Sequence, residues 1–181
     1  MSVTGSQRFT YDDYARLPDD RRYEVIDGEL FVTPAPTPYH QMVKRRIERL
    51  LEEHVERGSL GTVLDAPCDV VLSNFDVLQP DIFFISSGRL ATIGEKYISD
   101  APDLVVEVLS PGTRRRDRSL KSKRYARFGV REMWIADPDG KTIEVFVNAG
   151  EGFRRDAIYG EEGVLRSPLL PGLEIPLARV F

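Results

Sequence analysis

Two acidic residues stand inside apolar segments of the sequence. Asp81 lies in LQPDIFFIS (residues 78–86), and Glu107 lies in APDLVVEVLS (residues 101–110). An unpaired carboxylate removed from water costs several kcal/mol, so both need a partner. If the two segments are neighbouring strands, the carboxylates converge on one point, where a hard divalent cation offsets their burial and repulsion. The alternative is that each acid is ion-paired or hydrogen-bonded without a metal.

Mg²⁺ is the cation that this pair predicts, with Mn²⁺ as a substitute, because Mg²⁺ prefers carboxylate oxygens and keeps several waters. Such an ion polarises a phosphoryl oxygen and lowers the pKa of a bound water. A nearby lysine would orient that water or stabilise the developing charge. This chemistry predicts phosphodiester hydrolysis.

The charge distribution points to a polyanionic partner. The net charge is −4, yet residues 114–131 contain nine basic residues and one acid, so this segment carries +8 and the remainder −12. A basic strip on an acidic body is typical of nucleic-acid contact. The alternative is a helix face that pairs with acidic neighbours elsewhere.

The pattern of elements predicts a mixed α/β or α+β sheet with few helices. YEVIDGELFV (residues 23–32) reads as a hairpin around Asp27–Gly28, and apolar spacing predicts a helix over residues 39–56 that stops at Gly58. Four strands, a basic helix over residues 115–128 and two more strands follow, and the C-terminal tail holds a short strand at most. We expect one domain, residues 1–181.

Composition excludes several classes of protein. The single cysteine, Cys68, rules out an internal disulfide, and two histidines without a cysteine pair make a zinc site improbable. No window approaches the roughly 18 apolar residues of a membrane span, and no signal peptide begins the chain. These features predict a cytoplasmic protein with no membrane partner. SPGTRRR lacks the lysine-serine ending of a phosphate-binding loop.

Read together, these segments resemble the PD-(D/E)xK superfamily of restriction-endonuclease-like nucleases. The likeness rests on QPD with Asp81, LVVEVLSP with Glu107, and the run DRSLKSKRYARFGVREMWIADP (residues 117–138). Within the superfamily the chain is similar to the Uma family of small bacterial proteins assigned as endonucleases, whose N-terminal signature YEVIDGELFVTPAPTPYHQ also fits. The resemblance implies a central mixed sheet flanked by helices, Mg²⁺-dependent DNA hydrolysis, and metal ligands at Asp81 and Glu107, with the Val108 carbonyl completing the shell. Many such nucleases act as dimers, which leaves a homodimer open.

One position departs from the superfamily pattern. Its lysine normally stands two residues after the second acid, where this chain has Leu109. The family pattern suggests Lys121 on the following helix as the substitute. Helical spacing places Asp117, Lys121 and Tyr125 along one stripe, which would carry the ammonium group toward the carboxylates. The alternative is a surface pair of Asp117 with Lys121.

Further residues are candidates for the same site. The resemblance places Glu24 near it, to bind a second cation or position a water; equally, Glu24 is an exposed strand residue beside Arg21 or Arg22. Gln79 is an auxiliary candidate, and His40 could touch phosphate or act as a base, although a lone histidine at a helix start is more often a structural partner. The residues expected to contact the DNA backbone are Arg114, Arg115, Arg116, Lys123 and Arg124.

Three other functions stay open at this stage. A nuclease-like fold could bind nucleic acid without cutting it, since the lysine is displaced. The basic helix could instead meet an acidic partner or a second copy of the chain. A two-carboxylate glycosidase is remote, because nothing indicates a sugar cleft with aromatic walls.

Overall fold

A computed structural model describes residues 8–18, 20–112 and 114–181. The helices are α1 (Tyr11–Tyr14), α2 (Pro38–Gly58), α3 (Arg114–Arg116) and α4 (Ser122–Arg127), with a π-helical turn (Asp117–Lys121) between the last two and 3-10 turns at Ser87–Thr92 and Leu177–Arg179. The strands are β1 (Arg22–Ile26), β2 (Glu29–Thr33), β3 (Gly61–Asp65), β4 (Val70–Ser73), β5 (Asp76–Leu78), β6 (Ile82–Ser86), β7 (Leu104–Val108), β8 (Glu132–Asp137), β9 (Thr142–Asn148), β10 (Phe153–Gly160), β11 (Val164–Arg166) and β12 (Glu174–Pro176). None of the helices within the described residues is long and apolar enough to cross a bilayer.

The central sheet has six strands in the order β10-β9-β8-β7-β6-β3. Strands β7 and β8 are parallel, and the other neighbours in this sheet are antiparallel. A four-stranded sheet (β2-β1-β5-β4) and a two-stranded sheet (β11-β12) complete the fold. The structure confirms the predicted mixed α+β class, with a central mixed sheet, flanking helices and an N-terminal hairpin.

The two faces of the central sheet bury different helices. Val106, Val108 and Trp134 pack in one core together with α2, while Val105 and Met133 pack in a second core with α4. Alternate residues of a strand point to opposite faces, so an acid at an odd position of β7 must point toward α4. The face that holds Glu107 is therefore fixed by strand periodicity.

The N-terminal hairpin forms where the sequence predicts it. Asp27 and Gly28 have φ angles of 55° and 79°, the left-handed pair that a tight two-residue turn requires. Strand β1 also pairs with β5 through Val25 and Val77. That pairing places the hairpin beside the segment that leads into β6.

Several details differ from the sequence prediction. Two short strands, β5 and β11, were not expected. Strand β10 was not expected, because FRRDAIYG (residues 153–160) has four charged or polar positions and forms an edge strand whose residues are largely exposed. Helix α2 ends with Ser59, not Gly58, in the left-handed conformation. The basic helix is interrupted by the π-helical turn, which residue spacing does not reveal.

Trp134 offers a test of the core, because it is fully buried and its indole Nε1 donates a 2.7 Å hydrogen bond to Glu132 Oε1. We expect Trp134→Ala to lower the free energy of unfolding by about 3–5 kcal/mol through the cavity it leaves. Trp134→Phe keeps most of the ring and should cost about 1–3 kcal/mol, since Glu132 loses one donor. Urea unfolding followed by circular dichroism measures both, and equal stability of the two variants would contradict this packing.

Candidate active site

Adjacent strands bring Asp81 and Glu107 together. Asp81 immediately precedes β6, Glu107 lies in β7, and the register of the antiparallel pair sets Ile82 opposite Val106. One step further along the ladder, Asp81 faces Glu107 from the same side of the sheet. Asp81 Oδ2 accepts a 2.8 Å hydrogen bond from the Val108 backbone N–H, which fixes the carboxylate at the strand end.

Glu107 is 2% exposed and receives donors from the basic helix. The Tyr125 hydroxyl donates to Glu107 Oε1 at 2.7 Å, and Lys121 Nζ lies 3.1 and 3.2 Å from its two oxygens. The predicted stripe of Lys121 and Tyr125 therefore faces this acid. Leu109, at the superfamily's usual lysine position, is a buried core residue instead.

Lys121 joins three acids that come from different parts of the chain. Besides Glu107, its Nζ lies 2.8 Å from Glu24 Oε1 and 3.5 Å from Asp117 Oδ1. The lysine is the last residue of the π-helical turn, and such single turns widen a helix locally, often at functional sites. The predicted pair of Asp117 with Lys121 exists, but it is buried and not a surface pair.

Glu24 is the acid that the sequence left undecided between a site residue and an exposed strand residue. It is 1% exposed. Its carboxylate accepts from the Gln79 backbone N–H at 3.0 Å and from the Thr33 hydroxyl at 3.2 Å, and Arg116 lies 3.3 Å away. Strand β1 thus contributes an anchored acid to the site.

His40 lies on the other side of Asp81. Its Nε2 is 2.9 Å from the Val108 carbonyl and 3.3 Å from Asp81 Oδ2. Both neighbours are hydrogen-bond acceptors, so this nitrogen carries the proton and donates. His40 positions Asp81 and the end of β7, and its hydrogen bond goes to the Val108 carbonyl that the resemblance names as a metal ligand.

The cluster holds several buried acids around one lysine. Lys121 contacts Glu24, Glu107 and Asp117, and Arg116 also pairs with Glu24. Burial raises the pKa of Glu107 well above its ordinary value, and the neighbouring acids add to this rise. Burial also opposes ionisation of Glu24, but Lys121 and Arg116 hold the pKa of its carboxyl below the ordinary value. Of these two acids, Glu107 therefore takes up a proton more readily than Glu24.

Burial also weighs against a charge on Asp81 and Lys121. The His40 imidazole nevertheless keeps the pKa of Asp81 below its usual value. The carboxylates of Glu107 and Glu24 raise the pKa of Lys121 above the ordinary value for lysine. An ionised Asp81 beside a protonated Lys121 follows from these shifts.

The donor set fits a hard divalent cation. Asp81 and Glu107 line a small cavity of about 30 Å³, together with Val108 and Lys121, which is room for an ion or one to two waters. Within the described residues, no three histidine, cysteine, aspartate or glutamate side chains lie close enough together to hold one metal ion. Mg²⁺ is commonly bound by one or two carboxylates, with waters or substrate oxygens completing its coordination shell.

The five basic residues expected to contact DNA divide into two groups. Arg114 pairs with Asp137 at 2.6 Å, Arg116 pairs with Glu24, and Arg124 pairs with Asp76 at 2.7 Å and with Asp27. These three arginines pair with acidic neighbours, which was the alternative to DNA contact. Their partners include acids of β1, β5 and β8, which pack against the helix. Arg115 and Lys123 are exposed and form no ion pair within the described residues.

Two site residues were missed by sequence reasoning. Thr33 donates to Glu24 from β2, and Arg22 Nε donates to the Gln79 side chain at 3.0 Å. Both lie in the hairpin signature, but nothing in their local sequence separates them from ordinary strand residues. Gln79, proposed as an auxiliary residue, does lie beside the cluster.

Comparisons with known proteins bear on the family and the fold of the chain. A family model described as "Uma2: Putative restriction endonuclease" matches residues 11–178. A solved structure, described as a "putative nuclease belonging to DUF820 from Anabaena variabilis", superposes with a TM-score of 0.79 at 18% sequence identity, covering 95% of this chain and 97% of that one. At that identity the likeness shows the fold alone. No curated protein matches the sequence.

The raised pKa of Glu107 predicts a pH-dependent stability. With a chelator present, the folded state holds a proton that the unfolded chain releases above about pH 4.5. The free energy of unfolding should therefore fall as pH rises through the folded pKa, by up to about 1 kcal/mol per pH unit. Glu107→Gln should flatten this decline in urea unfolding between pH 5 and 8. The exposed Glu174→Gln is the control, and the same slope in Glu107→Gln as in wild type would contradict the assignment.

Proposed function

The chain belongs to the Uma2 family of restriction-endonuclease-like proteins, and from this membership we propose that it is a metal-dependent endonuclease that hydrolyses DNA phosphodiester bonds. The observation that carries the proposal is the meeting of Lys121 with Glu107 and Glu24 next to Asp81. A lysine beside two strand-borne acids is the working set of this superfamily, here assembled with the lysine on a helix.

Each residue has a chemical task in this proposal. Asp81 and Glu107 would hold Mg²⁺ or Mn²⁺, and the bound cation would polarise a phosphoryl oxygen and acidify a water. Hydrolysis adds the water oxygen to phosphorus, breaks one P–O ester bond and passes a proton to the leaving oxygen. The Lys121 ammonium, fixed by Glu24 and Asp117, stabilises negative charge that develops on the phosphate.

Positioning falls to the residues around these three. His40 and the Val108 N–H orient Asp81, and Tyr125 orients Glu107. Each side chain is held by hydrogen bonds from a neighbouring element, so little reorganisation is needed when a substrate arrives. Arg115 and Lys123, on the outer face of the basic helix, would contact the DNA backbone and make binding salt-sensitive.

A second candidate function is a nuclease-like fold that binds nucleic acid without cutting it. The observation that favours it is the Lys121 ammonium, which already neutralises part of the acidic cluster at 2.8–3.1 Å. In that case a metal ion would have no remaining role. The two candidates differ in their response to divalent cations.

Cleavage of supercoiled plasmid in Mg²⁺ or Mn²⁺ tests the first candidate. We expect Asp81→Asn, Glu107→Gln and Lys121→Met each to lower the rate by at least about a hundredfold. The first two substitutions remove a carboxylate that would hold the metal, and the third removes the ammonium group that stabilises the developing negative charge. The exposed pair residue Glu174→Gln is the matched acid-to-amide control and should cut like wild type. Equal cutting by all variants would point to a contaminating nuclease.

Metal-linked stabilisation separates the two candidates without an activity assay. Because burial raises the pKa of Glu107, a cation at this carboxylate competes with a proton, so binding should strengthen as pH rises. We expect millimolar Mg²⁺ to raise the Tm more at pH 8 than at pH 6, and Asp81→Asn to abolish the rise. No Tm change at either pH would favour the non-cleaving alternative.

A further inference from the structure

A groove lies beside the active-site cavity, and the two share Arg22 and Gln79 as lining residues. The groove has a volume of about 630 Å³, within the range of pockets that hold small organic ligands, whereas the active-site cavity measures about 30 Å³. The cavity is much the smaller of the two, and the shared residues place the groove next to it. A nucleic-acid strand whose phosphate reaches the cavity would also cover neighbouring surface, and this groove adjoins the site.

Tyrosine rings form part of the groove wall. Tyr11 stacks on Tyr14 with ring centroids 6.4 Å apart and an interplanar angle of 29°, and it meets the edge of Tyr97 at 5.2 Å. The Tyr14 hydroxyl donates a 2.7 Å hydrogen bond to Asp69 Oδ1. The rings are held in place, as a platform for base stacking requires.

The groove also carries cations that are not neutralised by acids. Arg22 donates to the neutral amide of Gln79, and it forms no ion pair within the described ranges. Lys96 is exposed and likewise makes no ion pair there, and Arg21 has only a 3.6 Å contact with Asp20. Unlike the arginines of the basic helix, these groups are available to phosphate.

Gln79 connects the groove to the catalytic cluster. Its backbone N–H donates to Glu24, its Oε1 accepts from Arg22, and its Nε2 donates to Asp69 Oδ1 at 2.7 Å. The groove wall and the acid that holds Lys121 thus share one hydrogen-bonded residue. A nucleic-acid strand bound in the groove would therefore be positioned relative to the catalytic cluster.

We propose that this groove binds one or two unpaired nucleotides of the DNA strand being cut, next to the scissile phosphate. The inference rests on the proposed nuclease function and specifies its substrate. Stacking on tyrosine needs an exposed base face, which a continuous duplex does not offer. The preferred substrates are therefore single strands, flaps or frayed ends, and not intact duplex.

Fluorescence anisotropy with a labelled 12-nucleotide single strand tests the groove in EDTA, where no cleavage occurs. Wild type should bind the single strand at least about tenfold more tightly than the matching duplex, and Tyr11→Ala should weaken binding by about tenfold, the size of one lost base stack. Tyr11→Phe keeps the ring and should bind like wild type. Arg21→Ala should weaken binding about threefold through one lost phosphate contact, whereas Arg57→Ala, at the far end of α2, should not.

The outcomes separate this inference from the proposed function. Two results would refute the proposal that the groove binds unpaired nucleotides. One is equal affinity for single strand and duplex, and the other is full binding by a Tyr11→Ala protein that melts at the wild-type Tm. A loss confined to Lys123→Ala overturns it too, because the strand would then follow the outer face of the basic helix. If wild type cuts plasmid but its binding does not depend on Tyr11, only the proposal for the groove is refuted. If binding depends on Tyr11 but no substrate is cut, only the nuclease function is refuted.

Discussion

A buried cluster of acids around one lysine is the constraint around which this protein is built. Three carboxylates (Glu24, Glu107 and Asp117) contact the buried Lys121, Arg116 also pairs with Glu24, and Asp81 lies beside His40. Carboxylates in an apolar interior are stable only when each has a partner. Glu24, Asp81 and Glu107 each have a partner from another element, and Asp117 pairs with Lys121 within the π-helical turn. In the proposed function, Asp81 and Glu107 are the acids of this cluster that would hold a divalent cation.

The fold solves the problem of bringing these groups together from distant parts of the chain. Asp81 and Glu107 meet because β6 and β7 are adjacent and antiparallel, Glu24 arrives with the hairpin, and Lys121 arrives through the π-helical turn. A lysine two residues after Glu107 would point to the same face of β7. This chain fills that position with Leu109, which packs in the core, and supplies the ammonium from the helix on that face.

Most cations of the basic segment form ion pairs within the protein. The basic segment is the most conspicuous feature of the sequence, yet most of its arginines face acids of the sheets: Arg114 contacts Asp137, Arg118 contacts Glu144, and Arg124 contacts Asp76. These pairs fasten the helix over the site. Two surfaces hold cations without acidic partners among the described residues. One is the outer face of the basic helix, and the other is the groove lined by Tyr11 and Tyr14, which includes Lys96.

The sequence by itself determined the class of fold, the hairpin at Asp27–Gly28 and the two strand-borne acids, because alternation, turn chemistry and misplaced charge are local signals. The family pattern added Lys121. Only the tertiary structure decided that Glu24 is buried against that lysine, that His40 holds Asp81, and that Arg116 and Arg124 are paired internally. Those contacts join residues 41 to 97 positions apart, and which charges meet across such distances depends on sheet order and helix placement, which no local pattern encodes.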